Sequence, residues 1–263
     1  MDLGLKDKVA LVAASSQGLG RAVAEELAAE GASLVLCSRD SKTLDQTAVA
    51  IAERSNGPVF AVPADVTVTE DINRLVDAGI ERFGRIDILV TNAGGPPAGR
   101  FEQLTREQWE HAIRLTLLSA VELTRLVLPG MKERRWGRIL NITSIAVKQP
   151  IENLLLSNSL RAGLTGFART LANEVAADGI TVNNVLPGYT RTERLDELAE
   201  MMAEKQGISP GEFRGKWEKE IPMGRLAEPR EFAAVVAFLA SERASYITGT
   251  SIQVDGGWIK SLL

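Results

Sequence analysis

The most chemically suggestive stretch of this 263-residue chain is Ala13-Ala14-Ser15-Ser16-Gln17-Gly18-Leu19-Gly20, which follows a short apolar run and opens directly into a helical pattern. Small residues there let a backbone approach a pyrophosphate, and a helix N-terminus offers free N–H donors and the positive end of its dipole. Two glycines alone serve steric needs in many strand-to-helix turns. A strand, then Gly-x-Gly, then a helix at the start of a βαβ unit is the dinucleotide-binding pattern. Other chemistries are poorly supplied. One histidine, His111, and one cysteine, Cys37, leave no ligand cluster for zinc and no internal disulfide. Cys37 ends an apolar run and reads as a small hydrophobe. Thirty basic against thirty-four acidic residues give a net charge of −4, the wrong sign for a dedicated nucleic-acid binder. The longest apolar run, Phe232 to Ala240, is too short to span a bilayer, and residues 1–8 carry no signal-type apolar stretch. A soluble, cytoplasmic, metal-independent protein acting on a small molecule is expected, with neither nucleic acid nor membrane as a partner.

The elements that must position this turn alternate regularly. Short apolar runs at Val9–Ala13, Ser33–Cys37, Val59–Val62, Ile86–Val90, Gly137–Ile142, Thr181–Val185 and Thr250–Val254 read as buried strands. Helical patterns lie between them at Gly20–Glu30 and near 40–55, 69–83, 105–130, 155–178 and 228–242. Right-handed crossovers then build an α/β protein: a doubly wound parallel sheet of Rossmann type, in one domain over residues 1–263. Residues 190–222 depart from the rhythm. Charged and Met-rich, with Pro210 and Pro222 breaking helices, they read as a lid or substrate insertion, or as a solvated helical flap.

Further landmarks make the pattern specific. Asp65-Val66 ends the third strand, Thr91-Asn92-Ala93-Gly94 the fourth, Asn184-Val185-Leu186-Pro187-Gly188 the sixth, and Val254-Asp255-Gly256-Gly257 lies near the C-terminus. At these spacings the chain resembles the short-chain dehydrogenase/reductase family over essentially its whole length, and its 3-oxoacyl-carrier-protein-reductase-like members in particular. The resemblance implies a nicotinamide dinucleotide and a homo-oligomer, a tetramer or dimer, built on the helices near 105–130 and 155–178. It assigns the cofactor to Ser15, Ser16, Gly18, Leu19 and Gly20 in the turn, Asp65 and Val66 beside the adenine, and Asn92, Ala93 and Gly94 at the ribose. Pro187, Gly188 and Thr192 then hold the nicotinamide end. Where the family's turn has its first glycine this chain has Ala14, whose methyl is tolerated if φ stays negative. The family's NAD-selecting acid at the end of the second strand is replaced by Ser38, followed by Arg39, whose fork can pair with a 2′-phosphate. NADP(H) is therefore favoured over NAD(H).

At the catalytic positions the family pattern fails. The family uses a serine, a tyrosine thirteen residues later, a lysine four beyond that, and an asparagine in the preceding long helix. Ser144 matches the serine, but Ser157 stands for the tyrosine, Arg161 for the lysine and Thr116 for the asparagine. An aliphatic hydroxyl is a far weaker acid than a phenol, and arginine does not pass protons. Two residues are candidates to compensate. Tyr189, after Pro187-Gly188, is a candidate donor from another wall or a residue packed under the lid. Arg161 is a candidate electrophile that needs no proton release. Arg100, Arg161 and Arg191 are candidate anion binders; Lys148, Glu152 and Asn153 read as solvated loop groups. His111, five residues before Thr116, should face away from the site. Two readings follow: an NADP(H)-dependent oxidoreductase for a carbonyl or alcohol with a non-standard proton donor, or a dinucleotide-binding sensor or scaffold that no longer performs the family reaction.

Overall fold

The computed structural model describes every residue except Met1, Asn56 and Leu263. Seven strands, β1 (Val9–Val12), β2 (Ser33–Ser38), β3 (Val59–Pro63), β4 (Ile88–Thr91), β5 (Gly137–Ile142), β6 (Ile180–Pro187) and β7 (Ser251–Val254), form one sheet in the order β3-β2-β1-β4-β5-β6-β7. Every pairing is parallel. The inner strands β1, β4 and β5 are buried throughout, which is why they do not alternate apolar with polar residues; in β5 the buried Arg138 and Asn141 interrupt the apolar run.

Helices cover both faces. On one, α1 (Gly18–Ala29) and α9 (Pro229–Ala240) pack Val23, Leu27, Phe232 and Val236 against Leu34 and Val90. On the other, α3 (Thr69–Phe83), α5 (Ser119–Arg134) and α6 (Leu155–Val175) bring Leu75, Val127 and Leu171 onto Leu11 and Leu89. α2 (Ser41–Ala52) starts at Asp40, whose carboxylate accepts from the Thr43 N–H at 2.7 Å. The strand order reverses between β1 and β4, so a crevice opens above their C-terminal ends.

Two elements differ from the sequence expectation. The helix expected over 105–130 is three pieces: α4 (Arg106–Ile113), a π-helical turn (Arg114–Leu118), and α5. Residues 190–222 carry two helices, α7 (Glu193–Gln206) and α8 (Pro210–Glu220). Pro210 does not interrupt a helix there; it begins one, at the first position after the Ser209 cap, where a missing N–H costs nothing. The pair has its own small core of Ala199, Ala203, Phe213, Trp217 and Ile221.

Candidate active site

The crevice is a cleft of about 490 Å³ running along the C-terminal ends of β2, β1, β4, β5 and β6. At one end Ser38 and Arg39 line it, with Asp65 and Val66 across from them. Asp65 is oriented by its own loop, its Oδ1 accepting from the N–H and hydroxyl of Thr67, each at 2.8 Å. Burial pushes the Cys37 thiol up to about 11, so this cleft residue is no nucleophile at neutral pH.

Ser16, Gly18 and Leu19 line the middle. No side chain caps α1, and its first turn carries no acidic residue, so the Gly18, Leu19 and Gly20 N–H groups are available to an anion. Gly18 has φ +57°. Gly20 is needed for a different reason: a Cβ there would run into the Ala14 carbonyl. Asn92 Nδ2 donates to that same carbonyl at 3.3 Å, tying the end of β4 to the turn after β1. Three expectations are corrected. Ala14 has φ +48°, in the left-handed region, because the chain keeps the shape of a glycine turn despite the methyl. Ser15 lies wholly out of the cleft, with its N–H donating to the Cys37 carbonyl at 2.9 Å and its Oγ accepting from the Cys37 N–H at 3.1 Å. It fastens the turn to β2. Gly20 likewise does not line the cleft.

Asn92, Ala93 and Gly94, with Pro187, Gly188 and Thr192, surround the far end, where Ser144, Ser157 and Arg161 meet. Ser144 follows β5, and its Oγ accepts from the Ala146 N–H at 3.0 Å. That leaves its proton free to be donated. Ser157 and Arg161 lie one turn apart on α6 and so share a face. Arg161 donates through Nη1 to the carbonyls of Ile142 at 2.9 Å and Thr143 at 2.6 Å. Burial, reinforced by the charge of Arg194, lowers it to about 10, so it remains a cation at neutral pH. Thr116 is buried in the π turn and does not line the cleft, and its hydroxyl has no partner among the described residues.

Several candidates fall elsewhere. Tyr189 packs against α8, stacked on Trp217 (ring centroids 4.8 Å apart), and lies edge-on to Trp258 (5.7 Å). Burial and the Glu220 carboxylate push its phenol up to about 12. Arg100 does not line the cleft; it is tied to Glu152 (2.8 Å) and Asn153 (3.2 Å) on the exposed surface, so these loop groups are solvated as expected and partner it there. Arg191 is paired outside with Glu218 (3.4 Å) and Glu228 (3.2 Å). His111, expected to face away, lines the cleft mouth. His111 shares that face with Leu115, one turn on, whereas Thr116, the reference for the expectation, is itself buried away from the cleft lining. Arg194 was not singled out in the sequence; its Nη2 donates to the Pro96 carbonyl at 3.2 Å, placing a second guanidinium at this end of the cleft.

The enoyl-(acyl carrier protein) reductase family model matches residues 13–259. The 3-oxoacyl-(acyl-carrier-protein) reductase FabG of Haemophilus influenzae is 36% identical over 253 residues, 96% of this chain and 98% of that protein. The chain belongs to the short-chain dehydrogenase/reductase family, and within it resembles the 3-oxoacyl-carrier-protein reductases. Among solved structures, L-sorbose reductase from Gluconobacter frateurii, complexed with NADPH and L-sorbose, superposes with a TM-score of 0.95 at 36% identity, covering 100% of both chains. A variant actinorhodin polyketide ketoreductase with NADPH gives 0.93 at 32% identity, covering 97% of this chain and 98% of that one. This is a family of oxidoreductases. Among the described residues, no helix is long and apolar enough to cross a membrane, and no group of three or more His, Cys, Asp or Glu can hold a metal ion.

Proposed function

We propose that the protein is an NADP(H)-dependent oxidoreductase for a carbonyl or alcohol substrate, with the Arg161 guanidinium and the Ser144 hydroxyl polarising the substrate oxygen in place of a phenolic acid. The observation that carries this reading is the seat of Arg161. It is charged, anchored at the end of β5, and shares a face of the cleft with Ser144 and Ser157.

The donor set fits a dinucleotide. The uncapped α1 terminus would hold the diphosphate, Arg39 the 2′-phosphate, and Asp65 and Val66 the adenine. Asn92, Gly94, Pro187, Gly188 and Thr192 would hold the ribose and nicotinamide end. When bound, the cofactor supplies a hydride or accepts one. The chain's own residues supply orientation and charge. Ser144 offers its O–H, since its lone pair is engaged by the Ala146 N–H. Arg161 keeps Nε and Nη2 for a developing oxyanion, and a fixed donor of this kind needs no reorganisation during reaction. α7 and α8 serve as a lid over this end.

The test is NADPH oxidation over a panel of ketones, 3-oxoacyl thioesters and keto acids. Loss of turnover by a factor of about 10² or more in Arg161→Ala, with NADPH affinity largely retained, is the expected outcome. The engagement of Arg161 Nη1 by two main-chain carbonyls favours a second reading, a dinucleotide-binding sensor or scaffold. Tight NADPH binding without turnover of any substrate would establish that reading instead.

A further inference from the structure

A second cavity of about 150 Å³ adjoins the cleft, and Ser144 lines both. Its walls are mainly apolar, Ile145, Ile151, Leu154, Met202, Trp217 and the ring of Tyr189 among them, with Glu152 the charged residue in the lining. Dry apolar cavities of about this volume accept a six-carbon ring. On the other side of Ser144 the cleft presents the two guanidiniums of Arg161 and Arg194. They are close enough for the charge of Arg194 to help lower Arg161. The only anion paired with either, among the described residues, is Glu197, which meets Arg194 at 3.3 Å on its exposed side. Arg161 lines the cleft and, among the described residues, meets no carboxylate within salt-bridge distance; Asp65 and Glu193 are the acidic residues that line the same cleft. Like charges held together in a partly desolvated site are stabilised by an anion placed between them.

We propose that the substrate is a small oxo acid or its hydroxy counterpart: a carboxylate held by Arg194 with one free N–H group of Arg161, the adjacent reacting oxygen between Ser144 and the other, and an aliphatic or aromatic tail of about four to six carbons in the second cavity. A planar carboxylate suits two guanidinium forks better than it suits a point cation. The mainly apolar walls offer the hydroxyls of a polyol chain few partners there, Ser144 and Glu152 being the polar side chains besides the Tyr189 phenol. This substrate class rests on the oxidoreductase reading above.

Calorimetric titration with NADP⁺ present measures binding without turnover, which keeps the two readings separable. The probes are 4-methyl-2-oxopentanoate, its methyl ester, the neutral 4-methyl-2-pentanone, and pyruvate. The acid is expected to bind at least tenfold tighter than its ester, the ketone and pyruvate. Arg194→Met should weaken the acid at least tenfold and leave the ketone unchanged. Met202→Trp, which fills the second cavity, should weaken the branched acid but not pyruvate. Equal affinity for acid and ester in the unaltered protein overturns the proposal, whatever the variants do. So does an equal loss of NADP⁺ affinity in Arg194→Met, which would identify the cofactor diphosphate as the anion. Selective binding of the acid with no NADPH oxidation would retain the proposal and refute the reductase reading. Brisk reduction of neutral ketones without preference for the acid would do the reverse.

Discussion

Arg161 donates through Nη1 to the main-chain carbonyl of Thr143 at 2.6 Å, one residue before Ser144. The side chain that brings positive charge to the cleft therefore also fixes the strand end that delivers the reactive hydroxyl. Position and polarisation are coupled in one contact. Removing the guanidinium leaves the Ile142 and Thr143 carbonyls without this donor and loosens Ser144 as well. Substitutions at 144 and 161 should consequently be non-additive.

The first prediction concerns Ala14. A left-handed backbone costs a non-glycine residue roughly 1–2 kcal/mol, and Ala14 has φ +48°. Ala14→Gly removes that cost but makes the unfolded chain more flexible, so a net gain of about 0.5–1 kcal/mol is expected. In a domain of this size that is a rise in Tm of a few degrees (about 2–4 °C per kcal/mol), read by thermal unfolding without ligand. An unchanged or lower Tm would show that the turn is not strained.

Arg39 stands exposed at the cleft's adenosine end, beside neutral Ser38. A charge-assisted hydrogen bond contributes about 1.5–3 kcal/mol, so Arg39→Ala should weaken NADPH by roughly ten- to a hundredfold and leave NADH nearly unaffected. Calorimetric titration with both cofactors checks this. Equal losses for the two would move the 2′-phosphate elsewhere.

Much of this was legible in the sequence, for identifiable reasons. β1, β4 and β5 are buried on both faces, so their composition announces a parallel sheet, and Gly18 and Gly20 mark the turn that opens α1. What escaped depends on contacts between distant segments. Ser15 looked like part of a phosphate loop, yet Cys37 on the neighbouring strand claims it. Arg100 and Arg191 looked like anion binders until Glu152, Glu218 and Glu228 paired with them. His111 was judged against Thr116, which the fold buries away from the cleft, so it is His111 with Leu115 that lines it. Arg194 gave no signal because its meeting with Pro96 spans 98 positions.

Tyr189 is predicted to stay out of proton transfer. Its phenol is pushed up to about 12 by burial and by the Glu220 carboxylate, so it is neutral at any working pH. The unfolded chain releases this proton near pH 10. The folded state keeps it, so the contribution of Tyr189 to stability is full below about pH 10 and is lost as pH rises to about 12. In a Tyr246→Phe background, phenolate absorbance should appear only towards pH 12. Tyr189→Phe should retain most turnover, with an unshifted pH profile between 6 and 9. Turnover that collapses in Tyr189→Phe would make this phenol the proton donor after all.

The last prediction restores the family's chemistry. Ser157 and Arg161 already face the cleft one turn apart, and Thr116 sits in the π turn with an unpartnered buried hydroxyl. The triple change Ser157→Tyr, Arg161→Lys and Thr116→Asn places a phenol and an ammonium at two positions that line the cleft, and an amide at a buried position of the helix behind them. Ordinary ketone reduction with NADPH, slow or undetectable beforehand, should rise by the 10²–10⁴-fold typical of a positioned general acid. Arg161→Lys alone should be damaging although the charge is kept. A lysine ammonium lacks the fork that anchors two carbonyls while still facing the cleft, so both Tm and native turnover should fall. Native activity should also be lost in the triple variant, because the new acid is gained at the expense of the guanidinium. NADPH oxidation assayed on unaltered, single and triple variants decides the matter. Full native turnover in Arg161→Lys would assign the chemistry to charge alone and refute the role of the fork.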